Sequence, residues 1–468
     1  MDSCHHGFVI EDANMAANVV CPAGDGGDTL HVHVSLPSGH STSISTDSST
    51  RVLDLKTAAQ EAFGVQFLQL TFNGRLLEVS QHLSELGLSS GDTLMATIVT
   101  PQIVASAGAV ALCCAGQVVT WGEPQCGADS RMVRDELKDV RQIVASLSSF
   151  AAILADGSVV SWGDPRSGDS SMVKDQLKNV RQICASCSAF AALLADGSVV
   201  TWGAPECGAD SSKVQDQLQH VQQLHASSSA FAALLEDKSV VTWGYGECGG
   251  DSRSVQDQLR QTKQICSHYG QDSFAAILSD GSVATWGYPP GGGDSRRVQH
   301  QLKNVQHLQA SWCAFAAILE NGSVVTWGGK DYGGDSSAVQ HQLKSGVVEI
   351  SAASAAFAAL RADGSVVTWG SPQQGGDSSS VQDQLQNVQA IQASFGAFAA
   401  LLSDGSVVTW GDPQDGGDSS AVKHQLKKVR WIQGIYKAFV AGLNDGSLVT
   451  WGDPKCDASA LAGHFRLL

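Results

Sequence analysis

The chain has no apolar run of the roughly 18 residues that a transmembrane helix needs. Its N-terminus, Met1-Asp2-Ser3-Cys4-His5-His6, lacks the basic-then-apolar pattern of a signal peptide. Both absences lead us to expect a cytoplasmic or nuclear protein, where its twelve cysteines stay reduced. Basic side chains are scarce: 29 Lys and Arg face 46 Asp and Glu, a net charge of −17. Such a surface repels phosphate, so neither general nucleic-acid binding nor an anionic membrane is expected as a partner. No Ser-His-Asp set or metal-ligand spacing stands out, and Gly291 to Asp294 lacks the Lys-Ser/Thr ending of a nucleotide loop. We therefore expect no enzyme, no cofactor and no metal. The terminal Cys4, His5 and His6 are read as solvated rather than as ligands.

What the chain does have is repetition. Trp-Gly recurs at Trp121, Trp162, Trp202, Trp243, Trp286, Trp327, Trp369, Trp410 and Trp451, with spacings of 41, 40, 41, 43, 41, 42, 41 and 41 residues. A period that regular marks a repeat architecture. In unit three, Phe190 to Leu194 meets Asp196-Gly197 and returns as Ser198-Val199-Val200-Thr201-Trp202-Gly203, a hairpin. Ile183 to Ser186 precedes it as another strand. The tail follows, in which Asp210 is a cap and Val214 and Leu218 are spaced for a helical turn. One unit cannot bury its own apolar face, so neighbours must stack.

The N-terminal part reads differently. Residues 1–27 are small and polar, the composition of a flexible tail. Leu30, Val32 and Val34 alternate with polar residues as a half-buried strand, and Ser41 to Thr46 returns as a second. Residues 52–63 place Leu55, Ala59 and Phe63 on a helical face that stops at Gly64. Leu68 to Phe72, Asn73-Gly74 and Arg75 to Glu78 form a hairpin, and Thr93 to Val99 is a last strand.

These residues carry two resemblances. Leu70-Thr71-Phe72-Asn73-Gly74-Arg75-Leu76-Leu77-Glu78, with Leu83 to Leu88 and Asp92-Thr93-Leu94, resembles the ubiquitin-like (β-grasp) domain over residues 28–100. It departs from ubiquitin in running on through Pro101 without a terminal Gly-Gly, in offering Lys56 alone for chain building, and in carrying Thr71 and Thr97 where the family's apolar recognition patch lies. The motif Ala-Ser…Phe-Ala-Ala-Leu-Leu-x-Asp-Gly-Ser-Val-Val-Thr-Trp-Gly, over residues 103–456, resembles the repeat of the regulator of chromosome condensation family, which implies a β-propeller. After Trp-Gly, however, the family's Gly-Gln-Leu-Gly is here Gly-Gly-Asp-Ser-Ser, as at Gly375 to Ser379. Nine units also exceed the four to eight blades that propellers commonly have, which leaves a larger ring, a smaller ring with extra units, or an open solenoid.

The expected fold is thus mainly β: a propeller-like array of three- to four-stranded units over 101–468, behind an α+β ubiquitin-like domain. Cys184 and Cys187 align with Val144 and Leu147 of the preceding unit and read as packing residues. Cys126, Cys207, Cys248 and Cys456 stand five residues after a repeat tryptophan, where Ser167, Tyr332 and Gln374 occur elsewhere, the variability of an exposed loop. Variable loops are where a repeat scaffold recognises partners. Units four to six carry Tyr245, Tyr288 and Tyr332 after Trp-Gly, unit five expands to include His268 and Tyr269, and unit six adds Trp312. This aromatic sector is the candidate protein-binding site.

The leading expectation is a protein-binding scaffold or adaptor, with proteasome or ubiquitin-ligase components as partners of its ubiquitin-like domain. The alternatives are a nucleotide exchange factor for a small GTPase, which the second resemblance implies, and a relative or partner of HECT-type ubiquitin ligases without the catalytic domain.

Overall fold

The computed structural model describes residues 18–20, 29–63, 65, 68–99, 101–268, 270–444 and 447–456. They fall into two units that meet in sequence between Thr100 and Pro101.

In the first, β1 (Asn18–Val20), β2 (Thr29–Ser35), β3 (Ser41–Asp47), β4 (Leu68–Phe72), β5 (Arg75–Leu76) and β6 (Thr93–Ile98) form one sheet in the order β1-β3-β2-β6-β4-β5, with α1 (Val52–Phe63) after β3. The period of two turns Leu30, Val32, Val34, Ile44, Leu68, Leu70 and Leu94 into one core with Leu55 and Ala59 of the helix. Asn73 and Gly74 both have positive φ, 50° and 78°, as a two-residue hairpin requires. Two expectations change here. The tail over 1–27 contains β1, which pairs in parallel with β3 at Asn18↔Ser43 and Val20↔Ser45. Lys56 is not available for chain building: it lies on the helix face of Val52 and Ala59 and is 4% exposed. Gly64, Cys4, His5 and His6 lie outside the described residues.

Among the described residues the second unit holds nine three-stranded antiparallel sheets, one per repeat. In unit three the inner, middle and outer strands are Val180–Ala185, Ala189–Leu194 and Val199–Gly203. The middle strand is almost wholly buried because its two faces meet the preceding and following sheets. Its register shifts against the inner strand between Val180 and Gln182, a bulge that recurs in units two to nine and increases local twist. At each Asp-Gly turn the carboxylate fixes the backbone. Asp196 Oδ1 accepts from Ser198 N at 2.9 Å and from its hydroxyl at 2.7 Å. In unit six Asn321 does the same for Ser323.

One contact repeats between units. Phe231 of unit four stacks on its own Trp243 with ring centroids 5.4 Å apart. Trp243 Nε1 donates to Gly208 O of unit three at 3.0 Å. A Cβ on Gly208, where φ is +98°, would stand 2.7 Å from the Phe231 ring, so only glycine fits. The same clasp joins Trp286 to Gly249, Trp327 to Gly292, Trp369 to Gly333, Trp410 to Gly375 and Trp451 to Gly416.

The repeats close on themselves. Trp121 Nε1 of unit one donates to Cys456 O of unit nine at 3.3 Å, and Lys455 pairs with Glu123 at 2.5 Å. The nine units therefore form one ring.

Unit two breaks the pattern. Its loop is one residue shorter, so Gly168 O must serve where other units offer two carbonyls, and it accepts Ser161 Oγ at 2.6 Å. In unit three those roles are split: Thr201 Oγ1 donates to Ala209 O, and Gly208 O takes the next tryptophan. Trp202 Nε1 is left buried without a partner among the described residues. Trp243→Phe should therefore cost about 1 kcal/mol more than Trp202→Phe, because it orphans a buried carbonyl. Equal losses in denaturant unfolding would contradict the clasp.

The Asp-Gly carboxylates also predict an acid dependence. Serine hydroxyl and amide bonds hold Asp196, Asp280 and Asp404 below the usual aspartate range. Depressed values contribute stability above the unfolded pKa near about 4 and lose it as pH falls below that. The triple variant Asp196→Asn, Asp280→Asn, Asp404→Asn should melt below wild type at pH 7 and converge with it below a pH of about 4, where the wild-type carboxylates are protonated. Parallel melting-temperature profiles would count against this.

Candidate protein-binding face

Each outer strand ends beside the loop that joins inner to middle strand. Tyr245 N donates to Ser229 O at 2.9 Å and Tyr288 N to Asp272 O at 2.8 Å. The segments after Trp-Gly and the inner loops therefore share one face of the ring. A serine that recurs between units ties them: Ser186 Oγ donates to Cys207 O, Ser227 Oγ to Cys248 O, Ser311 Oγ to Tyr332 O and Ser394 Oγ to Asp415 O, all within 2.7–2.8 Å.

Backbone bonding explains why the side chain at that position varies, but the expected exposure is wrong for the cysteines. Cys126 and Cys207 are half-buried, and Cys248 and Cys456 are buried; a serine draws the turn down onto the sheet at the first three, and Cys456 O accepts from the Trp121 indole instead. Burial pushes the Cys248 and Cys456 thiols up to about 11. It pushes Cys184 and Cys187 up to about 12, so neither is a ready thiolate nucleophile. Among the described residues no group of three His, Cys, Asp or Glu side chains is arranged to hold a metal ion, and no helix is long and apolar enough to cross a membrane.

The candidate residues divide. Tyr245, Tyr288 and Tyr332 are exposed at 52%, 42% and 37% on consecutive units of this face. Their neighbours Glu247 and Asp331 are exposed as well. His268 is half-buried, its Nδ1 accepts from Gly270 N at 3.2 Å, and burial pushes its pKa down to about 4. Tyr269 lies outside the described residues.

Trp312 belongs to a different cluster. Its ring meets Phe395 edge-on at 4.8 Å, and Phe395 meets Tyr436 at 5.3 Å. These residues come from units six, eight and nine, at the inner-loop position that Ala107, Leu147, Cys187, Ser228 and Ser354 hold elsewhere. Backbone bonds link neighbouring inner loops: Trp312 N to Ser354 O, Ser354 N to Phe395 O and Phe395 N to Tyr436 O. Lys437 Nζ sits 5.3 Å over Phe395 and 5.9 Å over Tyr436, and 3.8 Å from Asp415, which is buried. Burial holds the Asp415 carboxyl above its usual range and Lys437 opposes that. Sequence reasoning missed Phe395, Tyr436 and Lys437. Aligning the inner-loop position across units was the signal that could have found them.

On the ubiquitin-like domain, Leu76 and Met95 are the exposed large apolar residues among those described, at 46% and 43%. They flank Thr71 directly, in the cross-strand pairs Thr71↔Leu76 and Thr71↔Met95. Cross-strand partners share a face, so the sheet presents a short apolar row with one hydroxyl in its middle.

Residues 27–100 match the model of the ubiquitin family. No curated protein matches the chain. Solved structures similar to it include Prp20p from Saccharomyces cerevisiae, 13% identical over 68% of this chain and 84% of that one, with a TM-score of 0.37. The yeast RCC1 (Prp20) bound to Kap60 is 16% identical over 50% and 70%, with a TM-score of 0.35. The ectodomain of the Physcomitrella patens receptor kinase CR4 is 15% identical over 59% and 75%, with a TM-score of 0.36.

Lys437→Met should leave Asp415 without its ion partner and lower stability at pH 7 by about 1–2 kcal/mol. Because the Asp415 pKa is then raised further, the deficit should shrink as pH falls and the carboxyl takes up a proton. Asp415→Asn in the same chain should restore most of it. A deficit independent of pH in thermal melts would contradict the pairing.

Proposed function

We propose that this protein is a non-enzymatic scaffold that joins two protein partners. Its ubiquitin-family domain docks to a component of the ubiquitin–proteasome system, and the loop face of the ring holds a second protein. The observation that carries this reading is the placement of three exposed tyrosines on consecutive units, in a ring whose other recurring polar residues are used up in local bonds. Asp196 serves its turn, Ser186 ties a loop, and Ser211 bonds Gln215, whose amide reaches Val199 O. Exposed tyrosine offers large contact area at low entropic cost, as protein interfaces favour.

On the ubiquitin-family domain the row Leu76-Thr71-Met95 supports docking through the sheet, with Thr71 interrupting its apolar surface. Thr71→Ile should strengthen capture of ubiquitin-binding proteins several-fold, about what one added buried methylene pair contributes.

Affinity capture with the full chain separates the two arms. Leu76→Asp with Met95→Asp should lose ubiquitin–proteasome components and keep the remaining partners. Tyr245→Ser, Tyr288→Ser and Tyr332→Ser together should do the reverse. If neither variant changes the captured set, the scaffold reading is wrong.

A further inference from the structure

Resting on the reading of the loop face as a protein-recognition surface, we infer that its partner presents an extended Arg/Lys-rich segment, which lies across units four to six. Charge on this face is one-sided. In the segments after Trp-Gly, Arg166 is paired with Glu206 at 3.0 Å, Lys330 with Asp335 at 3.5 Å and Lys455 with Glu123 at 2.5 Å. Behind the tyrosine loops, Arg253 is held by Asp251 at 2.5 Å and Arg296 by Asp294 at 2.6 Å. The exposed carboxylates Glu247 and Asp331 have no ion pair among the described residues, and they stand beside Tyr245 and Tyr332 in sequence. Asp272, half-buried on the unit-five inner loop, already accepts from Ser228 Oγ and from the Cys248 thiol.

The ring contains an occupied version of the same chemistry. Lys437 is held by a carboxylate, Asp415, and by the faces of two aromatic rings, Phe395 and Tyr436. In units four to six Arg253, Arg296 and Lys330 are already paired with carboxylates and Arg297 adjoins Asp294, while among the described residues no cation sits over the rings of Tyr245, Tyr288 or Tyr332. An ammonium or guanidinium from a partner would meet both attractions, the ring quadrupole and the carboxylate charge, and the net charge of −17 would draw it in from a distance.

The test uses the full chain and three fluorescent peptides of equal length, one rich in Arg and Lys, one rich in Glu and one neutral, read by anisotropy at two salt concentrations. The basic peptide should bind, weaken with salt, and lose about ten-fold in affinity in the Tyr245→Ser, Tyr288→Ser, Tyr332→Ser chain. Tyr→Phe at the same three positions should retain binding, since the ring faces remain. Glu247→Gln with Asp331→Asn should weaken binding several-fold, while all variants keep the wild-type melting temperature. Binding of the basic peptide that ignores these variants overturns the inference, as does no binding of it at all. Tyrosine-dependent binding of the neutral or acidic peptide also overturns it, yet leaves the face as a recognition surface. The scaffold reading fails separately, in the capture experiment.

Discussion

The ring depends on one clasp between neighbours. A tryptophan indole donates to the carbonyl of a glycine in the preceding unit, and the phenylalanine stacked on that indole packs against the same glycine's Cα. Both halves use the same glycine, although in unit three the stack of Phe190 on Trp202 stands without the hydrogen bond. The phenylalanine can approach only a residue without Cβ, and the carbonyl is aimed at the indole only because that glycine holds a left-handed φ, as Gly208 does at +98°. Burial of Phe231 and Trp243 supplies most of the stabilisation, of order 1.5–3 kcal/mol per large apolar side chain. The hydrogen bond fixes the angle at which one sheet meets the next. Repeated around the chain, that angle brings unit nine back to unit one.

Function follows from what the clasp leaves unconstrained. It fixes the outer strand up to Trp-Gly and the glycine after the loop, and the serine ties the turn between them by its carbonyl alone. Side chains such as Tyr245, Tyr288, Glu247 and Asp331 are free to differ from unit to unit because no backbone bond uses them. A rigid ring with variable loop tips on one face is the arrangement on which the proposed recognition role rests.

Much of this was legible in the residues. The spacing of Trp-Gly, the Asp-Gly hairpins and the alternation at Leu30, Val32 and Val34 each report a local conformation. Closure was not legible, since it depends on the angle between units, which no single repeat encodes. The cluster of Trp312, Phe395 and Tyr436 was hidden for the same reason: residues 124 positions apart at the extremes meet only through curvature. Cys248 looked exposed because its position varies in sequence, but variability there reflects backbone anchoring and not solvent. Lys56 misled in the opposite sense, as a charged residue on a helix face that packs inward.

Closure is the claim on which the loop face depends, since an open array would splay the tyrosine-bearing units and expose two ends. Amide hydrogen exchange measures it most directly. A closed ring predicts that the outer strands Gln117–Gly122 and Leu448–Gly452 exchange as slowly as Val240–Gly244 and Val283–Gly287 in the interior units. Fast exchange confined to units one and nine, with protection rising toward the middle of the array, would contradict it.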